Sequence, residues 1–250
     1  MNIRKEIKIG AALIGLSFLI AFSERKQGGV MCKEIIVEID NIQDNHFLDE
    51  ADILRLVENS GQTLKGTSLE RINLRAIESK LKLDKHILDA ELYGDLKGNL
   101  IVLVELRRPV ARLVQEDAPD AYLSEEGVTM SISDKFSSRV MIISGKFVRQ
   151  LLDQGDLTTF EAGVKLMEMI EFINEDPFWK AQIAQMDINS RSEITIYPQV
   201  TGQLVEFGTP DNYEPKFKKL KVFYKEILPQ KGWTRYERVN LKYDGQVIAE

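Results

Sequence analysis

The sequence predicts an α+β protein built from a short apolar N-terminal helix, a β-α-α-β-β unit and a larger mixed unit with largely antiparallel sheet. Three observations carry this. Ile9–Ser23 (IGAALIGLSFLIAFS) is uncharged and apolar all round. Residues 34–106 pass from period-two alternation to two helical stripes and back to alternation. Beyond Arg107-Arg108-Pro109, short β-rich runs separated by turn residues are interleaved with a few helices.

As a helix, the apolar run spans roughly 22 Å, short of the ~30 Å hydrocarbon core of a bilayer. Lys8 and Arg25 flank it, and long cationic side chains lengthen such a span by reaching to the interfaces. A retained anchor over residues 9–25 is the leading expectation, with residues 1–8 (MNIRKEIK) as a cytoplasmic tail. A cleaved export signal is the alternative, because Ala21-Phe22-Ser23 offers a small-residue site. Either reading exports everything after about residue 25. Val30-Met31 before Cys32 does not fit a lipid-attachment site.

In the next unit, Glu34–Ile39 (EIIVEI) reads as a strand. Asp49 caps a helix over Glu50–Asn59, with Ile53, Leu56 and Val57 on one face, and Gly61 ends it. Ser68 is expected to cap a second helix running to about Leu83. Ile87–Tyr93 and Asn99–Leu106 are strands joined by Gly94–Asn99.

In the third part, strands are expected at Val110–Gln115, Ala121–Leu123, Val128–Ile132 and Val140–Ser144. A helix follows over Leu157–Asn174, interrupted by Pro177, with a shorter one at Phe178–Ala184. Strands are expected at Gln185–Asn189, Glu193–Tyr197 and Leu204–Phe207. Pro215 suits the first turn of a helix over Lys216–Leu228. Thr234–Tyr243 and Gln246–Ala249 close the chain as strands.

Composition excludes several functions. The net charge is −6, and residues 1–8 contribute three bases and one acid, which leaves the rest near −8. Duplex nucleic acid requires clustered Lys and Arg, and no such run occurs. A single cysteine, Cys32, can form neither an internal disulfide nor a cysteine-based zinc site. The two histidines, His46 and His86, have no second His or Cys at ligand spacing, and no hydrolase, phosphate-binding or dinucleotide motif is present. No metal and no cofactor is expected. Carboxylates are abundant, but Asp49, Glu50 and Asp52 suit a helix start, Glu125-Glu126 a turn, and Glu175-Asp176 a helix end. The Met167–Met169 and Phe160–Phe172 stretch has helical spacing, which favours core packing over a binding groove.

Several local motifs, in this order, resemble the bacterial cell-division family FtsQ/DivIB. They are Ile87-Leu88-Asp89-Ala90-Glu91-Leu92, then Asn99–Glu105 (NLIVLVE), then Arg108-Pro109-Val110-Ala111-Arg112. Tyr122-Leu123-Ser124-Glu125-Glu126-Gly127 follows, with Ser124 where the family often has Asp. Gly202–Gly208 (GQLVEFG) with Lys216-Phe217-Lys218-Lys219-Leu220, and Val239–Ala249 (VNLKYDGQVIA), complete the series. Asn240 and Lys242 depart from the family's D-L-R-Y pattern there.

The resemblance implies a POTRA domain over 33–106 and an FtsQ-type β domain over 107–250. It implies a non-enzymatic scaffold of the inner (cytoplasmic) membrane, bulk periplasmic, that joins FtsB-like and FtsL-like partners and serves septal peptidoglycan synthesis. It also places the partner contact on Arg191, Leu241, Tyr243, Asp244, Gly245, Val247 and Ala249. Leu241 and Tyr243 would share one strand face, with Val247 and Ala249 continuing the pattern beyond the turn. The rival readings are a POTRA-containing envelope assembly or secretion component, an exported binding protein, and a secreted hydrolase with a carboxylate pair.

Overall fold

The computed structural model describes residues 29–250 apart from Asp44 and Asp117. The expected tail at 1–8 and anchor at 9–25 therefore lie outside the described residues. Among the described residues, no helix is long and apolar enough to cross a membrane. The chain divides into two compact units, one ending at Leu106 and the other spanning Arg107–Glu250.

The first unit runs β1 (Glu34–Ile39), α1 (Glu50–Glu58), a 3₁₀ turn at Leu69–Arg71, α2 (Leu74–Leu81), β2 (Ile87–Gly94) and β3 (Asn99–Leu106). Its three-stranded sheet has the order β1-β3-β2, with β1 parallel and β2 antiparallel to the central β3. Period-two alternation explains β3: Leu100, Val102, Val104 and Leu106 enter the core. They meet Ile53 and Val57 of α1 and Ile77 and Leu81 of α2. Asp49 caps α1 through a reciprocal box, accepting from Asp52 N–H at 2.9 Å while its own N–H donates to the Asp52 carboxylate at 3.1 Å.

The second helix departs from expectation. Ser68 makes no side-chain cap, and the chain turns only once before Ile72 takes an extended conformation and is buried. Asn73 then caps α2 by accepting from Ala76 N–H at 3.2 Å. Burying Ile72 therefore breaks what the apolar spacing reads as one helix.

The second unit carries a 9-stranded sheet of order β12-β11-β10-β9-β8-β7-β4-β5-β6. Its strands are β4 (Pro109–Leu113), β5 (Ala121–Ser124), β6 (Thr129–Ser131), β7 (Met141–Ser144), β8 (Ile183–Ile188), β9 (Ile194–Pro198), β10 (Leu204–Gly208), β11 (Arg238–Asn240) and β12 (Ile248–Ala249). Pairing is mostly antiparallel; β4–β7, β7–β8 and β10–β11 are parallel. Pro109 opens β4, where a missing N–H costs least.

Helices α3 (Phe147–Gln154), α4 (Glu161–Glu175), α5 (Pro177–Gln182) and α6 (Tyr213–Val222) pack on this sheet. Helix α3 was not among the expected elements; Phe147, Val148 and Leu151 form its buried face and Gly155 closes it at φ 73°. Helix α4 starts later than expected because Asp156 holds a separate 3₁₀ turn at Leu157–Thr159, accepting from Thr158 N–H at 2.9 Å. Asp176 and Pro177 together start α5, with Asp176 accepting from Phe178 N–H at 2.8 Å. Helix α6 continues through a π turn at Phe223–Ile227 into α7 (Leu228–Lys231). The wider turn lies just ahead of Pro229, whose ring cannot accept regular α geometry against the preceding carbonyls.

Trp179 fills the centre of the core at 1 % exposure. Its ring lies 4.8 Å from Phe178 and 4.9 Å from Phe217, which in turn lies 4.9 Å from Phe207 of β10. This aromatic chain ties α5 and α6 to the half of the sheet that ends in β12. Trp179→Ala is expected to cost roughly 3–5 kcal/mol of unfolding free energy, read as a lower denaturant midpoint at unchanged slope; a loss below about 1 kcal/mol would contradict the packing described.

Candidate functional site

A β-sheet ends in two rows of backbone groups that neighbouring strands leave unpaired, and this sheet treats its two ends differently. At β6, Thr129 N–H donates to Gly155 O at 2.9 Å and Leu157 N–H donates to Gly127 O at 2.9 Å, with a bridge between Val128 and Asp156. That edge is covered over residues 127–129 by the segment after α3.

At the other end, β12 pairs on one side only, antiparallel to β11, with Val239 opposite Ala249 and Asn240 opposite Ile248. Arg238 and Glu250 exchange both bonds, at 3.1 and 3.0 Å. Alternation of hydrogen bonds along an antiparallel pair then directs the N–H and C=O of Ala249 away from β11, to the open side.

The sequence reading expected long closing strands at Thr234–Tyr243 and Gln246–Ala249; the observed β11 and β12 are three and two residues long. The reason lies in the connection between them. Lys219 of α6 donates to the carbonyls of Tyr243 at 2.7 Å and of Leu241 and Gln246 at 3.3 Å each. One ammonium has three donors, and here each meets a backbone oxygen of residues 241–246. Gly245, at φ 70°, supplies the left-handed turn residue. Asn240 fixes the start by accepting from Lys242 N–H at 2.9 Å while its amide donates to Glu206 at 2.7 Å.

Of the residues expected to contact a partner, Tyr243, Asp244 and Gly245 are exposed on this connection. Val247 and Ala249 share one face and pack partly against the core, while Ile248 faces outward. Leu241 is a correction: at 1 % exposure it is a core residue, and its N–H donates to Glu206 O at 3.0 Å, so it does not share an accessible face with Tyr243. Arg191 is exposed on the β8–β9 turn, its N–H donating to Asn189 at 2.8 Å. Glu193 links that turn to the terminal one through Lys242 at 3.7 Å. The Asn189 side chain first, and then Lys242, hold its carboxyl below the usual range.

Beside the open edge, a groove of about 670 Å³ runs between α6 and residues 242–247. Lys216, Lys218, Lys219 and Lys242 line it, with Asp211 and Asp244. Lys216 donates to the carbonyls of Thr209 and Asp211 at 2.7 and 2.8 Å and lies 5.0 Å from the Phe207 ring centre. Burial lowers its pKa. Asp211 is already paired with Lys165 at 2.8 Å, which holds its carboxyl below the usual range.

Of the carboxylates that invited comparison with an acid/base pair, Asp49 and Asp52 are engaged in the cap of α1, and two more have ionic partners. Glu126 pairs with Arg107 at 3.0 Å and Asp176 with Lys221 at 2.8 Å. His86 is buried beside Asp84 at 3.0 Å. Among the described residues, no group of three His, Cys, Asp or Glu side chains is placed to share a metal ion.

Lys219 carries no sequence signature of its role, since the carbonyls it holds lie 22 to 27 residues downstream. Lys219→Met keeps the stem and removes the three donors, so amide exchange at Ile248 and Glu250, which pair with β11, is expected to accelerate by roughly tenfold or more while β8 and β9 are unchanged. Unchanged exchange at Ile248 and Glu250 would remove Lys219 from this role.

Residues 108–250 match the family model described as FtsQ/DivIB, C-terminal related, and residues 30–105 match the POTRA-like domain. No curated protein matches the sequence. With more than half of its length matched by one family model, and the domain that precedes it matched by a second, the chain belongs to the FtsQ/DivIB family.

Proposed function

We propose that this protein is a non-enzymatic scaffold of the bacterial division machinery that holds a partner by adding the partner's strand to β12. Membership of the FtsQ/DivIB family supports a division scaffold. The observation that carries the reading is the asymmetry of the large sheet, with β6 sealed and β12 open. In strand addition, backbone hydrogen bonds supply the affinity and alternate side chains supply the choice of partner.

In this reading residues 9–25 hold the chain in the cytoplasmic membrane, with the N-terminus inside and both folded units outside. The partner is an FtsB-like protein, with an FtsL-like protein in the same assembly, and the complex serves septal peptidoglycan synthesis. Tyr243, Asp244, Gly245, Val247 and Ala249 form the contact, and Arg191 pairs with a partner acid. Leu241 supports the edge from inside the core. The edge of β1, marked by Glu34 and Glu38, is a second docking place on the POTRA-like unit.

Ala249→Pro tests the reading cleanly, because Ala249 gives no hydrogen bond to β11 and its N–H is directed to the open side. The full-length variant in detergent is expected to lose at least about tenfold in affinity for the FtsB-like protein of the same cells while melting as the parent does. Tyr243→Lys with Val247→Lys should do the same. Undiminished binding by both variants would remove β12 as the site.

A further inference from the structure

Only Ala249 of β12, and Val247 where the strand extends, can offer backbone groups to an added strand. At about 0.5–1.5 kcal/mol net for each hydrogen bond, these fall well short of the roughly 8 kcal/mol of a micromolar complex. Side chains next to the edge have to supply the difference.

The groove between α6 and residues 242–247 adjoins that edge directly, with Val247 part of its wall. Its charges are unbalanced. Lys216 and Lys219 spend their donors on neutral carbonyls. Lys218 is exposed and makes no hydrogen bond or ion pair among the described residues. Lys242 is shared with Glu193, and Asp211 is engaged by Lys165. Asp244, which acts electrostatically on Lys216, is the other wall carboxylate and has no ion pair among the described residues, in a protein whose net charge is −6. A basic pocket on an acidic protein selects for anionic groups and speeds their arrival.

We infer that this lysine-lined groove receives Asp or Glu side chains of the same partner segment that pairs with β12, so that an acidic segment is chosen over a neutral one. The inference rests on the strand-addition reading. An added strand that runs beside Ala249 and Val247 carries its flanking residues past Asp244 and onto Lys218.

The experiment measures the dissociation constant of the full-length chain for the FtsB-like protein across a range of salt, with Lys218→Glu, Ala249→Pro and Lys231→Glu. Lys231 is an exposed lysine outside the groove and makes the same change in net charge. Lys218→Glu is expected to weaken binding about tenfold in low salt and to flatten the salt dependence, with the parent's advantage shrinking above the concentration where charges are screened. Carbodiimide coupling, which joins an amine to an adjacent carboxylate, is expected to link Lys218 to a partner Asp or Glu. Ala249→Pro that abolishes binding, with Lys218→Glu no different from Lys231→Glu, would overturn the groove and leave strand addition standing. A loss with Lys218→Glu alone would keep the groove and overturn strand addition, and no loss with either would overturn both.

Discussion

Backbone N–H and C=O groups need partners, and an open sheet has two rows of them without any. The chain seals one row with the segment around Gly155 to Leu157 and leaves the other as β12. The core beneath the β12 end of the sheet bears on that open row. Phe207 and Phe217 join β10 to α6 through the aromatic core around Trp179. Helix α6 then aims Lys219 at three carbonyls of the 241–246 connection, and that connection sets where β12 begins. A core substitution at Trp179 and a surface substitution at Lys219 thus act on one structural chain.

Much of the fold is legible in the residues. The β-α-α-β-β order of the first unit follows from a clean change between periods of 2 and 3.6, and most strands of the second unit lie within a residue or two of the apolar runs. The failures have local causes. Helix α3 is not legible because its apolar stripe is short and follows directly on β7. The break at Ile72 is invisible in spacing, because the same apolar residue serves a helix stripe or a buried extended corner. The closing strands are shorter than their pattern suggests because Leu241 to Val247 alternates acceptably, while carbonyls of that stretch are committed to a lysine on another element.

The proposed site is less legible than the fold. Tyr243, Val247 and Ala249 were singled out by family resemblance, and the pairing of β11 with β12 explains physically why Ala249 presents free backbone. Leu241 shows the limit of that route: an apolar residue within such a motif can belong to the core. The lysines of α6 read in sequence as an ordinary solvated helix face. Only the fold brings Lys216, Lys218 and Lys219 against Lys242 beside the edge.

Amide exchange of the full-length chain, alone and with the FtsB-like protein, tests the central claim most directly. Ala249 should exchange rapidly in the free protein and slow by at least about tenfold in the complex, while Thr129, whose amide on the sealed edge is already bonded, stays equally protected in both. An Ala249 amide already protected in the free protein, or one that exchanges at the same rate when the partner is bound, would contradict the account.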